Sequence, residues 1–146
     1  MGVSDIVHVV EHDVTAASLF SVLPKQGTVD VVTMSYSMSM IPDQKAAVSN
    51  AARLLKPHGH LAVADLFLEG RHDALLPPIA RFLRKAESYV HKAWFYMDNV
   101  HLLGKQQLQM GQPDLVPVFD VRFRGAMPYM PLFSPYHGVY IMQKQP

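Results

Sequence analysis

Hydroxyl groups placed where a buried strand should end are the first chemistry this sequence offers. From Val29 to Asp43 it reads Val-Asp-Val-Val-Thr-Met-Ser-Tyr-Ser-Met-Ser-Met-Ile-Pro-Asp. Ser35, Tyr36, Ser37 and Ser39 can each donate and accept hydrogen bonds, and they follow the β-branched run Val29, Val31, Val32, Thr33. Open α/β sheets hold ligands at the carboxyl ends of their strands, so this stretch is the leading candidate site. Two acids stand in a similar relation to apolar runs: Asp13 after residues 6–10, and Asp65 near the end of residues 60–67. Asp98 and His101 are a carboxylate and an imidazole three residues apart, types that orient or move protons. A metal site is not expected. His58 and His60 fall in a turn before a strand, and His8 and His12 lie too far apart along a strand to share one ion without further ligands. No Gly-x-Ser-x-Gly elbow or phosphate loop occurs.

Positioning these groups requires an alternation of elements. Residues 6–10 read as a short strand, and 14–23 as a short helix capped by Asp13 or Thr15 with Leu19, Phe20 and Leu23 inward. Pro24 to Gly27 is turn chemistry. The run from Val29 is expected to be a strand buried on both faces. Pro42 and Asp43 then mark a helix start, and Ala47, Val48, Ala51, Ala52, Leu54 and Leu55 form a stripe of nearly helical period. Lys56-Pro57-His58-Gly59 ends that helix, with Gly59 expected to supply the positive φ. Residues 60–67 form the next buried strand. Strand–helix–strand alternation of this kind makes a parallel sheet with crossover helices.

The second half differs. Pro77 and Pro78 open a long helix whose apolar residues, Ile79, Phe82, Leu83, Val90, Trp94 and Met97 among them, recur at helical spacing and predict a core-facing stripe. Its other face carries Arg81, Arg84, Lys85, His91 and Lys92 against a single Glu87. A solvated face is the commoner meaning of such a charge row, and contact with anionic headgroups the alternative. The region 98–111 is less regular. Phe119, Val121 and Phe123 alternate with Asp120, Arg122 and Arg124 as a half-exposed strand. A Pro/Tyr/Met-rich link resembling a long hairpin leads to a last strand at 138–143.

Composition narrows the classes. The chain has 146 residues, 49% hydrophobic and 17% charged, which suits one globular domain. No run approaches a membrane span, and the N-terminus lacks the pattern of a secretory signal, so a cytoplasmic location, with peripheral contact to a membrane, is the expectation. Cysteine is absent, which excludes disulfides and thiolate metal sites. A net charge of +1 gives no field for nucleic acid.

Several strings together resemble a class I S-adenosylmethionine-dependent methyltransferase: Asp13-Val14, the Val29–Asp43 stretch, Leu55-Lys56-Pro57-His58-Gly59 and Leu61-Ala62-Val63-Ala64-Asp65. Within that superfamily, residues 33–43, residues 94–102 (Trp-Phe-Tyr-Met-Asp-Asn-Val-His-Leu) and the strand opened by Pro135-Tyr136 resemble the methyltransferase of betaine-lipid synthesis. The resemblance implies a three-layer Rossmann-like α/β sheet with an antiparallel C-terminal strand pair, S-adenosylmethionine as cofactor, and a lipid-linked amine of the diacylglyceryl homoserine type as acceptor. It implies cofactor contacts from Asp13, Val14, Ser35 and Tyr36. Asp98 and His101 would orient or deprotonate the amine, and an aromatic face at Tyr36, Trp94 or Tyr96 would stabilise the methylated cation. For Trp94, lying on the apolar stripe, plain core packing is the favoured reading.

One departure is expected to matter. The family's Gly-rich loop and its first two strands have no counterpart, since all eight glycines are isolated. In the family strand order 3-2-1-4-5-7-6, the run at 6–10 would be strand three, separated from the Val29 strand by the missing pair. The alternatives are direct re-pairing of these two strands, a partner chain that fills the gap, or a truncated fragment, the last being favoured. A non-catalytic methyltransferase-like interaction module is the competing reading of function.

Overall fold

The computed structural model describes residues 6–104, 112–125 and 134–146. The end of the irregular 98–111 region and most of the hairpin-like link lie outside these. Among the described residues, four strands and two α-helices make the fold: β1 (Val29–Ser35), α1 (Gln44–Leu54), β2 (Leu55–Phe67), α2 (Pro78–Tyr96), β3 (Leu115–Arg124) and β4 (Tyr136–Lys144). Their spatial order is β1-β2-β4-β3. β1 runs parallel to β2, and β4 is inserted antiparallel to both β2 and β3. This is the 4-5-7-6 half of the strand order that the resemblance implies.

α1 forms as its sequence dictates. The Asp43 carboxylate accepts a hydrogen bond from the Ala46 amide at 2.9 Å, satisfying a donor that the first helical turn would otherwise leave unpaired. The helix then lays Ala47, Val48, Ala51 and Ala52 on Met34, Leu61, Val63 and Met142 of the sheet. Burying each Leu, Val or Met there stabilises the fold by about 1.5–3 kcal/mol. The opposite face of the sheet is left half-open, with Phe119 and Val121 exposed. The described residues thus supply two of the three layers.

Several expectations change on contact with the structure. Residues 6–10 are not a strand; they are exposed, Val9 at 93%. A strand exists only through a ladder partner, and among the described residues nothing pairs with this run or with the outer edge of β1. As an edge strand β1 is not buried on both faces either: Val32 and Met34 turn toward α1, while Val31 and Thr33 are exposed. The helix expected at 14–23 shrinks to a 3-10 turn, Ala17–Ser21, with Ala16 at its N-cap and no side-chain cap bond. Leu19 is buried as expected, and the Arg53 guanidinium covers the Phe20 ring at 4.1 Å. Residues 56–59, expected as a stop before a strand at 60–67, already belong to β2, which pairs from Leu55 with Val29. There it is His58, not Gly59, that adopts a left-handed φ of 65°. Gly59 is needed for closeness instead, because a Cβ there would meet Lys56 O at 2.9 Å and Asp30 O at 3.1 Å.

The two second-half patterns form the expected elements with the opposite faces inward. On α2 it is Ser88, His91 and Phe95 that are buried, while Ile79, Phe82, Leu83, Val90 and Met97 face solvent. Trp94 is 44% exposed and therefore not a core residue. On β3, Phe119, Val121 and Phe123 are exposed, whereas the Arg122 side chain is fully buried. That burial is sustainable because Arg122 is fully engaged. It holds Asp120 through two bonds of 2.8 and 3.3 Å, donates to Glu69 O at 3.0 Å and lies 4.4 Å over the Phe67 ring. No described helix is long and apolar enough to cross a membrane.

Candidate active site

The polar loop after β1 is braced from three directions. Tyr36 continues the pairing of its strand, its amide donating to Ala64 O at 2.7 Å, and then turns the chain with a φ of 46°. Such a conformation is uncommon for a bulky residue and marks a point held by its surroundings. Asp65, 1% exposed at the carboxyl end of β2, accepts from the Ser39 amide at 2.9 Å and from the Leu66 amide at 2.7 Å. Gln44 donates to Met38 O at 3.1 Å, and the His101 amide donates to Ser39 O at 2.7 Å.

This bracing presents Tyr36 to a partner 101 residues away. Its hydroxyl lies 3.0 Å from Nδ1 of His137 on β4, with the two rings edge to face. Phe123 of β3 stacks on the other side of the imidazole, centroids 5.9 Å apart and planes 16° from parallel. The result is a phenol–imidazole pair beside an exposed aromatic face, at the carboxyl ends of β1 and β2. Sequence reasoning singled out Tyr36 but missed His137, whose only sequence signal was its place just after Pro135-Tyr136. Neighbouring Tyr136 has a different role: its hydroxyl donates to Asp73 at 2.9 Å, and burial together with that carboxylate pushes its pKa up to about 12. It is a fixed, neutral donor.

The other expected site residues are placed as follows. Ser35 ends β1 and is exposed. Asp13 is exposed and accepts from Thr15 N at 2.8 Å and Thr15 Oγ1 at 2.7 Å, both on Oδ1, which leaves Oδ2 as an acceptor. These bonds hold its carboxyl below the usual carboxylate range. The carbonyl of Val14 accepts from Asn50 Nδ2 at 2.9 Å, tying this segment to α1. Between Val14 and the end of β1 opens a recess of about 440 Å³, largely apolar, with Thr33 and Ser37 among its lining. A flat heteroaromatic group suits such a lining, and the acid Asp13 next to Val14 suits an exocyclic amine. His101 is half-buried, its ring edge-on to Tyr96 at 5.6 Å, and joins the site loop through its backbone. Asp98 is exposed in the turn that ends α2, its amide donating back to Phe95 O at 3.1 Å. Ser35, Tyr36 and the His101 backbone are brought together; Asp98 is not drawn into the loop.

Comparison with known proteins fits this architecture. Residues 3–107 match the family described as a methyltransferase domain, and the chain belongs to that family. Among curated proteins none matches. A solved SAM-dependent methyltransferase from Methanosarcina mazei is similar over 92% of this chain and 65% of its own, with 15% identity and a TM-score of 0.57. A SAM-dependent methyltransferase of Thermotoga maritima, described as a possible histamine N-methyltransferase, is similar over 95% of this chain and 65% of its own, at 18% identity and TM-score 0.60. The N-methyltransferase NodS of Bradyrhizobium japonicum, solved with S-adenosyl-L-homocysteine, is similar over 91% of this chain and 52% of its own, at 10% identity and TM-score 0.53. At such identities the likeness establishes the fold, and the chain spans about 65% of the length of the first two structures.

Proposed function

We propose that this chain serves an S-adenosylmethionine-dependent N-methyltransferase whose acceptor is a lipid-linked amine of the diacylglyceryl homoserine type. The observation that carries the reading is the antiparallel insertion of β4 between β2 and β3, in a chain of the methyltransferase-domain family, because it sets His137 against Tyr36 at the strand ends. Two of the similar solved structures are described as N-methyltransferases, one of them as a possible one, which favours nitrogen. The lipid rests on the likeness of residues 33–43 and 94–102 to the betaine-lipid enzyme.

When bound, the cofactor supplies an electrophilic methyl group on a sulfonium. The residues present fit its adenosine end: Asp13 Oδ2 can accept from the adenine amine, and Val14 with Ser37 borders the apolar recess. Ser35 and Tyr36 close the site from β1. An amine attacks only when neutral, so a proton must leave it. In this reading the Tyr36 hydroxyl, 3.0 Å from His137 Nδ1, relays that proton. The Tyr36 and Phe123 rings then offer faces to the methylated cation, worth about 0.5–2 kcal/mol. His101 and Asp98 are proposed to orient the acceptor from the α2 side.

Calorimetric titration of S-adenosylmethionine into folded chain tests the reading, followed by transfer of labelled methyl to diacylglyceryl homoserine. Binding weakened by Asp13→Ala is the expected result. Silence from folded protein favours a second reading, a non-catalytic interaction module, for which the isolated glycines and the open edge of β1 speak.

A further inference from the structure

α2 carries its apolar residues on the side away from the protein. Ile79, Phe82, Leu83, Val90 and Met97 are 61–78% exposed; at 3.6 residues per turn the first four share one face of a 19-residue helix, and Met97, its C-cap, continues that face. The inner side buries Ser88, His91 and Phe95, and Glu87, the one acid of the helix, is held by Arg84 and Arg124. Three features of the outer face select its occupant. Lys85 and Lys92, seven residues apart and both exposed, lie beyond Tyr89 and Tyr96 on the Phe82 side of the strip, and Arg81 stands next to them toward Leu68, Glu69 and Asp73. None of the three forms an ion pair with a described residue. Tyr89 and Tyr96 lie on that same side of the strip and Trp94 on the other, all exposed, so amphipathic rings flank an aliphatic centre. Finally, the helix is too charged to span a bilayer. An apolar strip bordered by cations and by Tyr and Trp matches the boundary between acyl chains and headgroups, where such helices lie flat.

We infer that the outer face of α2 docks on a lipid bilayer bearing anionic headgroups. The strip enters the acyl boundary, and Lys85 and Lys92 reach up to the phosphates. The turn after α2 leads to His101, whose amide is bonded to Ser39 of the site loop, so docking would present the strand-end site to the bilayer surface. The surface is argued from α2 alone and stands whichever acceptor the site takes.

Trp94, the single tryptophan, reports on this face directly. Folded chain is mixed with vesicles of phosphatidylcholine alone or with added phosphatidylglycerol, and cosedimentation and Trp94 emission are followed. The expected result is cosedimentation with the anionic vesicles, a blue shift, quenching by brominated lipid, and release by salt. Phe82→Glu should abolish all of these while circular dichroism stays unchanged. Lys85→Glu with Lys92→Glu should lower affinity for the anionic vesicles about tenfold or more. Folded protein that stays in the supernatant overturns the inference, as does binding indifferent to Phe82→Glu. A lipid-free dimer that shields Trp94 and is lost in Phe82→Glu would assign the face to a second copy instead.

Discussion

At the scale of single residues the site rests on two contacts of different kinds. Tyr36 and His137 form a pair with a chemical task, so removing the hydroxyl should act on rate. Tyr36→Phe is expected to reduce kcat for methyl transfer by about 10²-fold, within the range of general acid–base catalysis, while leaving S-adenosylmethionine affinity nearly unchanged by calorimetry. A loss of affinity with kcat intact would reassign Tyr36 to cofactor binding. Asp65 has a structural task. Its buried carboxylate accepts from Ser39 N and Leu66 N, and Asp65→Ala would leave the Ser39 amide without its acceptor, costing about 1–3 kcal/mol or somewhat more for a charged partner. Urea denaturation should show that loss, and hydrogen exchange should show the Ser39 amide opening first.

At the scale of elements the packing of α2 makes a pH-dependent prediction. His91 is buried on the inner side of the helix, and desolvation, opposed by nearby Glu87, holds its pKa below the ordinary 6.5. The unfolded chain therefore takes up the proton first as pH falls below about 6.5. Stability should drop through that window down to the folded pKa and recover as pH rises. Thermal melts between pH 7 and 5 should show this slope, and His91→Gln should flatten it. A second element-scale test is Gly138 of β4, where a Cβ would lie 2.9 Å from two Phe67 ring carbons and from Val121 O. Gly138→Ala should destabilise by about 1–3 kcal/mol, read as a lower urea midpoint at unchanged slope. What was legible in the sequence follows the same division. α1 was readable in its cap and its stripe because both are local. Its expected stop, residues 56–59, proved to be the opening of β2, which is set by pairing with β1. α2 and β3 were readable as elements but not in orientation: a period says which residues share a face, not what covers it. On β3 the buried Arg122 depends on Asp120, Glu69 and Phe67 acting together, which no pattern within the strand reveals. Tyr36 stood out by its place at a strand end; His137 did not, because its partner is 101 residues away.

At the scale of the whole molecule the unpaired surfaces decide behaviour in solution. The described sheet ends at β1, so one row of backbone N–H and C=O groups, Val29–Ser35, faces outward without a ladder partner. Val31 is 52% exposed on this strand, and only Asp30, paired with Lys56, places a charge along it. Natural edge strands are commonly guarded by outward lysines, because a second strand cannot dock without desolvating the charge. This edge has no such guard, so the chain is expected to self-associate with rising concentration through β1. Light scattering across a concentration series should show growth for the parent chain and suppression by Val31→Lys, with circular dichroism unchanged. Phe82→Glu on α2 separates the two exposed surfaces. If Val31→Lys leaves association intact and Phe82→Glu abolishes it, the adhesive surface is the helix and not the sheet edge. If each variant removes part, both surfaces take part, and the β1 edge would be the one expected to close when a complementary strand is supplied.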